Sequence, residues 1–152
     1  MSQPVSIIRS AESEDMEALL SLLEELFSIE KDFRFDRSKQ MGGLERMLDN
    51  QNGKLLAAEA DGRLVGMCSG QLLVSTAEGG PSVLVEDVVI GGPWRGRGFG
   101  KSLVQGICQW AREQGAARLQ LLADQTNLPA LAFYERLGWQ RTQLVCLRKR
   151  MS

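Results

Sequence analysis

The stretch that decides the fold is Pro93-Trp-Arg-Gly-Arg-Gly-Phe-Gly-Lys-Ser102. It follows an apolar run typical of a buried strand, Val83 to Ile90, and precedes a helical pattern from about Gly100 to Gln114. Its glycines permit positive φ, so successive backbone N–H groups can turn to one side, and the start of a helix adds partial positive charge. We therefore expect an anion-binding turn suited to a pyrophosphate, the alternative being a tight connection with solvated basic side chains.

Two common phosphate-binding patterns do not fit this turn. A P-loop needs a glycine five residues before the glycine of its Gly-Lys-Ser, and that position holds Arg95. The dinucleotide pattern G-x-G-x-x-G also fails, because Gly96, Gly98 and Gly100 give G-x-G-x-G. The spacing that remains to be explained is Arg95-x-x-Gly98-x-Gly100.

Length and composition exclude several classes of function. The chain has 152 residues and a formal net charge of -1, so we expect a single domain over residues 1–152 without the basic surface of a nucleic-acid binder. Histidine is absent, which excludes Ser-His-Asp chemistry and His-ligated metal sites, and we expect no metal. The sequence shows neither a signal peptide nor an apolar run of about 20 residues. We expect a soluble cytoplasmic protein without a membrane partner.

Apolar periodicity predicts the element order β-α-α-β-β-β-α-β-α-β, an α/β fold with a mixed sheet. Asp61-Gly62 is typical of a tight I′ turn, so the sheet should begin antiparallel. One parallel crossover is expected around the helix at 100–114. The expected strands are 5–9, 55–60, 64–73, 83–90, 118–123 and 139–147. The expected helices are 14–27, capped by Ser13, 38–49, 100–114 and 127–137.

Three segments in order carry a family resemblance. Arg95-x-x-Gly98-x-Gly100 resembles the acetyl-CoA-binding motif Q/R-x-x-G-x-G/A of the GNAT acetyltransferase superfamily. Asn127-Leu-Pro-Ala-Leu-Ala-Phe-Tyr-Glu-Arg-Leu-Gly-Trp139 is similar to the family's second hallmark, and Glu86-Asp-Val-Val-Ile90 resembles its fourth strand. The resemblance spans nearly the whole chain and implies the GNAT-like acyl-CoA N-acyltransferase fold.

The same resemblance implies acetyl-CoA as cosubstrate, with its pantetheine arm entering between two diverging strands. Backbone groups of Val88 and Ile90 would bond the pantetheine, and the N–H groups from Arg95 to Lys101 would hold the pyrophosphate. Asn127 would contact the cosubstrate from the far side of the gap. The implied binding residues are Val88, Val89, Ile90, Arg95, Gly96, Arg97, Gly98, Phe99, Gly100, Lys101 and Asn127.

The resemblance also implies catalytic roles. Tyr134 would donate a proton to the departing CoA sulfur, unless its ring only packs between helix and sheet. Glu86 is the candidate base, acting through a water; Asp87 or water alone could relay the proton instead, or Glu86 could be a salt-bridge partner. Because strand alternation sends Glu86 and Asp87 to opposite faces, both can face a substrate only if a bulge intervenes. The N–H of Val89 or Ile90 would stabilise the oxyanion.

The acceptor side is expected in the first two helices and their connection. Nearby carboxylates and phenylalanines there would suit a cationic amine. The candidate residues are Glu30, Asp32, Phe33 and Asp36. We expect direct transfer of an acetyl group to a primary amine, either a small cationic amine or a protein amine. The alternative is a non-catalytic acyl-CoA sensor of the same fold, and the family resemblance allows a homodimer.

Overall fold

The computed structural model describes residues 6–151 and divides into two compact units, one ending at Leu121 and one beginning at Leu122. Among these residues, the first unit carries a five-stranded sheet with three α-helices, and the second carries one α-helix. The strands are β1 Ser6–Ser10, β2 Gly53–Ala60, β3 Arg63–Ser75, β4 Gly80–Ile90 and β5 Leu119–Leu121. The helices are α1 Met16–Ile29, α2 Arg37–Leu48, α3 Phe99–Glu113 and α4 Leu128–Arg136. Val5, expected at the start of the first strand, lies outside the described residues, and the single domain stays a prediction.

The sheet has the order β1-β2-β3-β4-β5 and is mixed, as the sequence predicts. The first four strands pair antiparallel and β4 pairs parallel with β5, so α3 forms the expected crossover. The β2–β3 turn has positive φ at Asp61 (51°) and Gly62 (75°), which a type I′ hairpin requires. The α/β fold class is therefore confirmed.

Helices cover both faces of the sheet. On one face, leucines of α1 form a buried cluster with Met67 and Val89. On the other face, α3 comes so close to β3 that a Cβ on Gly70 would lie 3.2 Å from both Trp110 Cζ3 and Val83 Cγ1. Glycine at this position lets the α3 side chains pack directly on the strand. Among residues 6–151, no helix is long and apolar enough to cross a membrane.

The prediction of a strand at 139–147 is wrong. In the described part of the chain no strand follows α4, and Leu144, Val145 and Leu147 are 79%, 81% and 90% exposed. β-branched and apolar residues favour a strand only where a neighbouring strand completes the hydrogen-bond ladder. Trp139, the expected first residue of that strand, instead donates its N–H to the Tyr134 carbonyl at 3.0 Å and closes the end of α4.

Candidate functional site

A β-bulge interrupts β4 where the two adjacent carboxylates lie. Val89 pairs with Met67 and Glu86 pairs with Ser69, so two β4 residues lie opposite a single residue of β3. Asp87, one of these two residues, has a φ of 55°, in the left-handed region. One residue at positive φ within a strand is a known way to accommodate an inserted residue. The bulge that both carboxylates would need in order to face one site is therefore present.

The bulge changes which face of the sheet the end of β4 presents. Met67 and Val89 belong to the buried cluster with α1. Ser69 is two residues from Met67 on the same strand, so Glu86, its partner, shares that face. In a regular strand, Glu86 and Val89 would lie on opposite faces, because they are three positions apart. Because of the bulge, the strand instead presents an apolar anchor and a carboxylate to the same side.

Asp87 has the most perturbed carboxyl group near the bulge. Burial raises its pKa to about 6, and the negative charges of Glu86 and Glu30 act in the same direction. Glu30 follows directly after α1, so the acceptor side and β4 bring three carboxylates into electrostatic range. Glu86 itself is exposed, and Gln71 Nε2 lies 3.5 Å from its Oε1. A carboxyl group with its pKa raised in this way is suited to exchange a proton near neutral pH.

Near the end of β4, the backbone N–H and C=O of Ile90 point away from β3. Gly91 N–H donates to the Val65 carbonyl at 2.8 Å, and the next pair along the ladder is Gly66 with Ile90. Since hydrogen-bonded and non-bonded pairs alternate in antiparallel strands, the Ile90 N–H and C=O point away from β3. By the same alternation the Val89 N–H points toward β3. Of the two expected oxyanion donors, Ile90 is the one on the outer flank.

That outer flank extends beyond the pairing of β4 with β5. The parallel pairing begins at Val83 with Leu119 and ends at Val85 with Leu121. Residues 86–90 therefore continue past the last β5 pair. Backbone groups in this part of a strand are placed to accept an extended ligand, in the way an added strand would pair.

The turn after β4 has the geometry of an anion-binding site. Gly96 and Gly98 have φ of 75° and 90°, and Gly98 is the N-cap of α3. The first hydrogen bond of the helix runs from Ser102 N–H to the Gly98 carbonyl at 3.1 Å, so the N–H groups before Ser102 lack partners within the helix. Open space surrounds both glycines, because a Cβ on either would meet nothing within 4 Å. These residues fit a phosphate group.

Arg95 departs from its expected place in that row of donors. Its N–H donates to the Gly92 carbonyl at 3.3 Å. Its Nε donates to the Ile90 carbonyl at 3.0 Å, and its Nη2 donates to Glu25 Oε1 of α1 at 3.2 Å. The row of N–H groups open to a ligand therefore begins at Gly96, and the guanidinium of Arg95 is engaged within the protein.

The other side chains of the turn divide into exposed cations and one buried ring. Arg97 lies over the Trp94 ring, with its guanidinium carbon 5.1 Å from the ring centroid, and Lys101 is exposed. Phe99 is buried and meets Trp94 edge-on at 6.1 Å between ring centroids. Of Phe99, only the backbone is available to a ligand, while its side chain anchors the start of α3.

The second unit holds Asn127 and Tyr134. Asn127 caps α4, accepting the Ala130 N–H at its Oδ1 at 3.2 Å, which leaves its amide NH₂ as the donor for a ligand. Tyr134 is half-buried, with its ring centroid 5.1 Å from that of Phe133 and 5.8 Å from that of Trp139. Aromatic neighbours on both sides fix the direction of the phenol.

The expected acceptor residues occupy three different places. Asp32 and Phe33 line a cavity of about 490 Å³ formed by α1 and the connection that follows it. The negative charge of Glu30 instead contributes to the raised pKa of Asp87. Asp36 caps α2 by accepting hydrogen bonds from the N–H groups of Ser38 and Lys39. The cavity contains both signs of charge together with the expected phenylalanines. Its lining is Glu24, Phe27, Ser28, Lys31, Asp32, Phe33, Arg34 and Phe35.

Comparison with known proteins identifies the family. The model of the acetyltransferase (GNAT) family matches residues 16–139. A glucosamine 6-phosphate N-acetyltransferase from Trypanosoma brucei brucei is 34% identical over 88 residues, which cover 57% of this chain and 58% of that protein. A streptothricin acetyltransferase from Streptomyces lavendulae is 32% identical over 91 residues, covering 60% of this chain and 46% of the relative. The chain thus spans about half the length of these curated relatives.

A solved structure shows the same fold over the full length. An aminoglycoside N-acetyltransferase in complex with CoA superposes with a TM-score of 0.86, at 18% identity, covering 99% of this chain and 98% of that one. The family match includes the bulged end of β4, the turn and α4. The chain belongs to the acetyltransferase (GNAT) family.

Proposed function

We propose that the protein is an N-acetyltransferase that transfers an acetyl group from acetyl-CoA directly to a primary amine. The observation that carries this proposal is the junction of β4 and α3. There the outer flank of a strand, beyond its β5 pairing, runs straight into a turn of left-handed glycines at a helix N-terminus. Such a junction suits a ligand with an extended arm and a diphosphate, and CoA has both.

The backbone N–H groups from Gly96 to Lys101 would hold the pyrophosphate, with Arg97 and Lys101 as cations at its rim. The Ile90 N–H, on the outer flank of β4, would stabilise the oxyanion of the thioester carbonyl. The register of β3 and β4 favours it over the Val89 N–H. The Asn127 amide NH₂ would be a further donor to the cosubstrate.

In the reaction, the amine nitrogen attacks the thioester carbonyl carbon and the carbon–sulfur bond breaks. The nitrogen loses a proton and the CoA thiolate gains one. Asp87 would accept the amine proton, directly or through water, while the charge of Glu86 keeps the pKa of Asp87 high. Tyr134 would donate to the leaving sulfur, since a phenol has an ordinary pKa near 10 and can hydrogen-bond to a thiolate.

The acceptor would bind between α1 and α2, with its amine directed toward the carboxylates of Glu30, Glu86 and Asp87. The two similar curated proteins are named for amine-bearing substrates, glucosamine 6-phosphate and streptothricin. The cavity beside Phe33 has both signs of charge, which suits a small amine with further polar groups.

The test is a thiol-release assay with acetyl-CoA and a panel of amines: amino sugars, aminoglycosides, polyamines and peptides. The proposal expects CoA release that depends on one class of amine. Calorimetry with CoA alone supplies the second readout. Binding of CoA without amine-dependent release for any acceptor would instead indicate the non-catalytic sensor, and absence of CoA binding would contradict both.

A further inference from the structure

Glu25 of α1 holds the turn that follows β4. Its Oε1 accepts the Gly92 N–H at 2.9 Å and Arg95 Nη2 at 3.2 Å. Through Arg95 the contact continues to the end of β4, because Arg95 Nε donates to the Ile90 carbonyl at 3.0 Å. One carboxylate of the acceptor-side helix therefore joins both ends of the segment from Ile90 to Arg95.

The contact has a firm base on the helix side. Leu22, Leu23 and Leu26, which flank Glu25 on α1, are all buried in the core. On the turn side the fit is close, since a Cβ on Gly92 would lie 3.2 Å from Glu25 Oε1. The carboxylate thus contacts the backbone itself, and a shift of α1 or of the turn would break the contact.

We infer that Glu25 is a positioning residue for the CoA-binding turn, holding Arg95 and Gly92 so that the N–H groups from Gly96 onward face the pyrophosphate. This inference rests on the proposed function. Arg95 contributes here through its contacts with Glu25 and Ile90.

A role of Glu25 through its charge and a role through positioning predict opposite effects on CoA binding, so one substitution of Glu25 separates the two roles. A carboxylate near a bound diphosphate repels it, and removing that charge should tighten CoA binding if charge alone matters. If Glu25 positions the turn, Glu25→Ala should weaken CoA binding, because the row of N–H groups loses its fixed direction. We expect a rise in Kd of about 5-fold, the lower end of typical coupling between sites.

The experiment measures the Kd of CoA by calorimetry for the intact protein and its variants. Glu14→Ala is the matched control, since Glu14 is an exposed carboxylate before α1 that lies outside these contacts, and its Kd should stay unchanged. Glu25→Gln keeps an acceptor oxygen and should recover most of the affinity. The double variant Glu25→Ala/Arg95→Ala should lose less affinity than the two single losses added together, because both changes break the Glu25–Arg95 link while only Glu25→Ala frees the Gly92 N–H.

Unchanged or tighter CoA binding by Glu25→Ala would overturn the inference, as would additive losses in the double variant. If the unaltered protein binds no CoA, the proposed function fails as well. If it binds CoA and Glu25→Ala binds equally well, only the positioning role fails. The thermal midpoint of Glu25→Ala should move by no more than about 2–4 °C, because exposed ion pairs contribute little to stability.

Discussion

At the scale of single residues, Asp87 combines an unusual backbone conformation with an unusual pKa. Its φ is 55°, and burial with the charges of Glu86 and Glu30 raises its pKa to about 6. The family resemblance favoured Glu86 as the base, and strand alternation implied that only one of the two carboxylates faces the substrate unless a bulge intervenes. The bulge that meets this condition forms through the pairing of β4 with β3. In the sequence, only the adjacent Glu86 and Asp87 pointed to it.

The pH dependence of turnover should identify the base. With Asp87 as base, the rate should rise as pH increases through about 6, because Asp87 must lose its proton to accept one. Asp87→Asn should abolish this rise and lower kcat by about 100-fold or more. Glu86→Gln should move the rise to lower pH, since it removes a charge that raises the pKa of Asp87. A profile that Asp87→Asn leaves intact would exclude Asp87 as the base.

Asp87 should also cost the folded protein stability at neutral pH. Its pKa is raised on folding from 3.8, so the penalty is absent below both values and fully present above about pH 6. Asp87→Asn should therefore raise the free energy of unfolding at pH 8 by roughly 3 kcal/mol, and the thermal midpoint with it, and should change both little at pH 3. Asparagine also tolerates positive φ. Equal midpoints of the two proteins at pH 8 would contradict the burial of this charge.

At the scale of elements, the turn and α3 formed as predicted, while the strand expected at 139–147 did not. The glycines of the turn and the periodicity of α3 are local signals that need no distant partner. A strand depends on its neighbour, and so does Arg95: its partner Glu25 lies 70 residues away. The sequence therefore indicated the backbone of the turn correctly, whereas the contact of Arg95 with Glu25 gave no local signal.

The turn itself can be tested with a matched pair at Gly98, whose φ is 90°. Asparagine and aspartate both tolerate positive φ and have nearly equal size, so they differ mainly in charge. Gly98→Asp should weaken CoA binding at least about tenfold more than Gly98→Asn, because it brings a carboxylate to the phosphate site. Calorimetry with CoA provides both values. Equal affinities of the two variants would place the diphosphate elsewhere.

At the scale of the whole molecule, ionic links tie together elements far apart in sequence. Arg9 of β1 makes two contacts with Asp15, at 2.7 and 2.9 Å, and a third with Glu59 of β2 at 3.3 Å. These contacts hold the start of α1 against the edge of the sheet. The hydrogen bond from Arg9 lowers the pKa of Asp15, and the Glu12 N–H lowers it further.

The contribution of the Arg9–Asp15 ion pair to the free energy of unfolding should be lost in acid. Because the folded protein lowers the pKa of Asp15 below 3.8, its contribution is present above that value and is lost as pH falls through the lower, folded pKa. Asp15→Asn should reduce the unfolding free energy by about 1 kcal/mol at pH 7, with a difference that shrinks in strong acid. Chemical denaturation at both pH values measures it, with Glu14→Gln as control. A loss that persists undiminished in strong acid would refute the ionic origin.

The extra residue in β4 reverses which positions of the strand face each side of the sheet from the bulge onward. Before it, Val83 packs beneath α3, and after it, Val89 packs beneath α1, although six positions would otherwise return both to the same side. Deleting one of the two bulged residues would restore regular pleating and leave Val89 opposite Met67 on the α1 face, whereas deleting a residue from the regular part of β4 would turn every later side chain to the other face. The bulge is thus the one place in the described length of β4 where a residue can be lost without reversing which later side chains face α1.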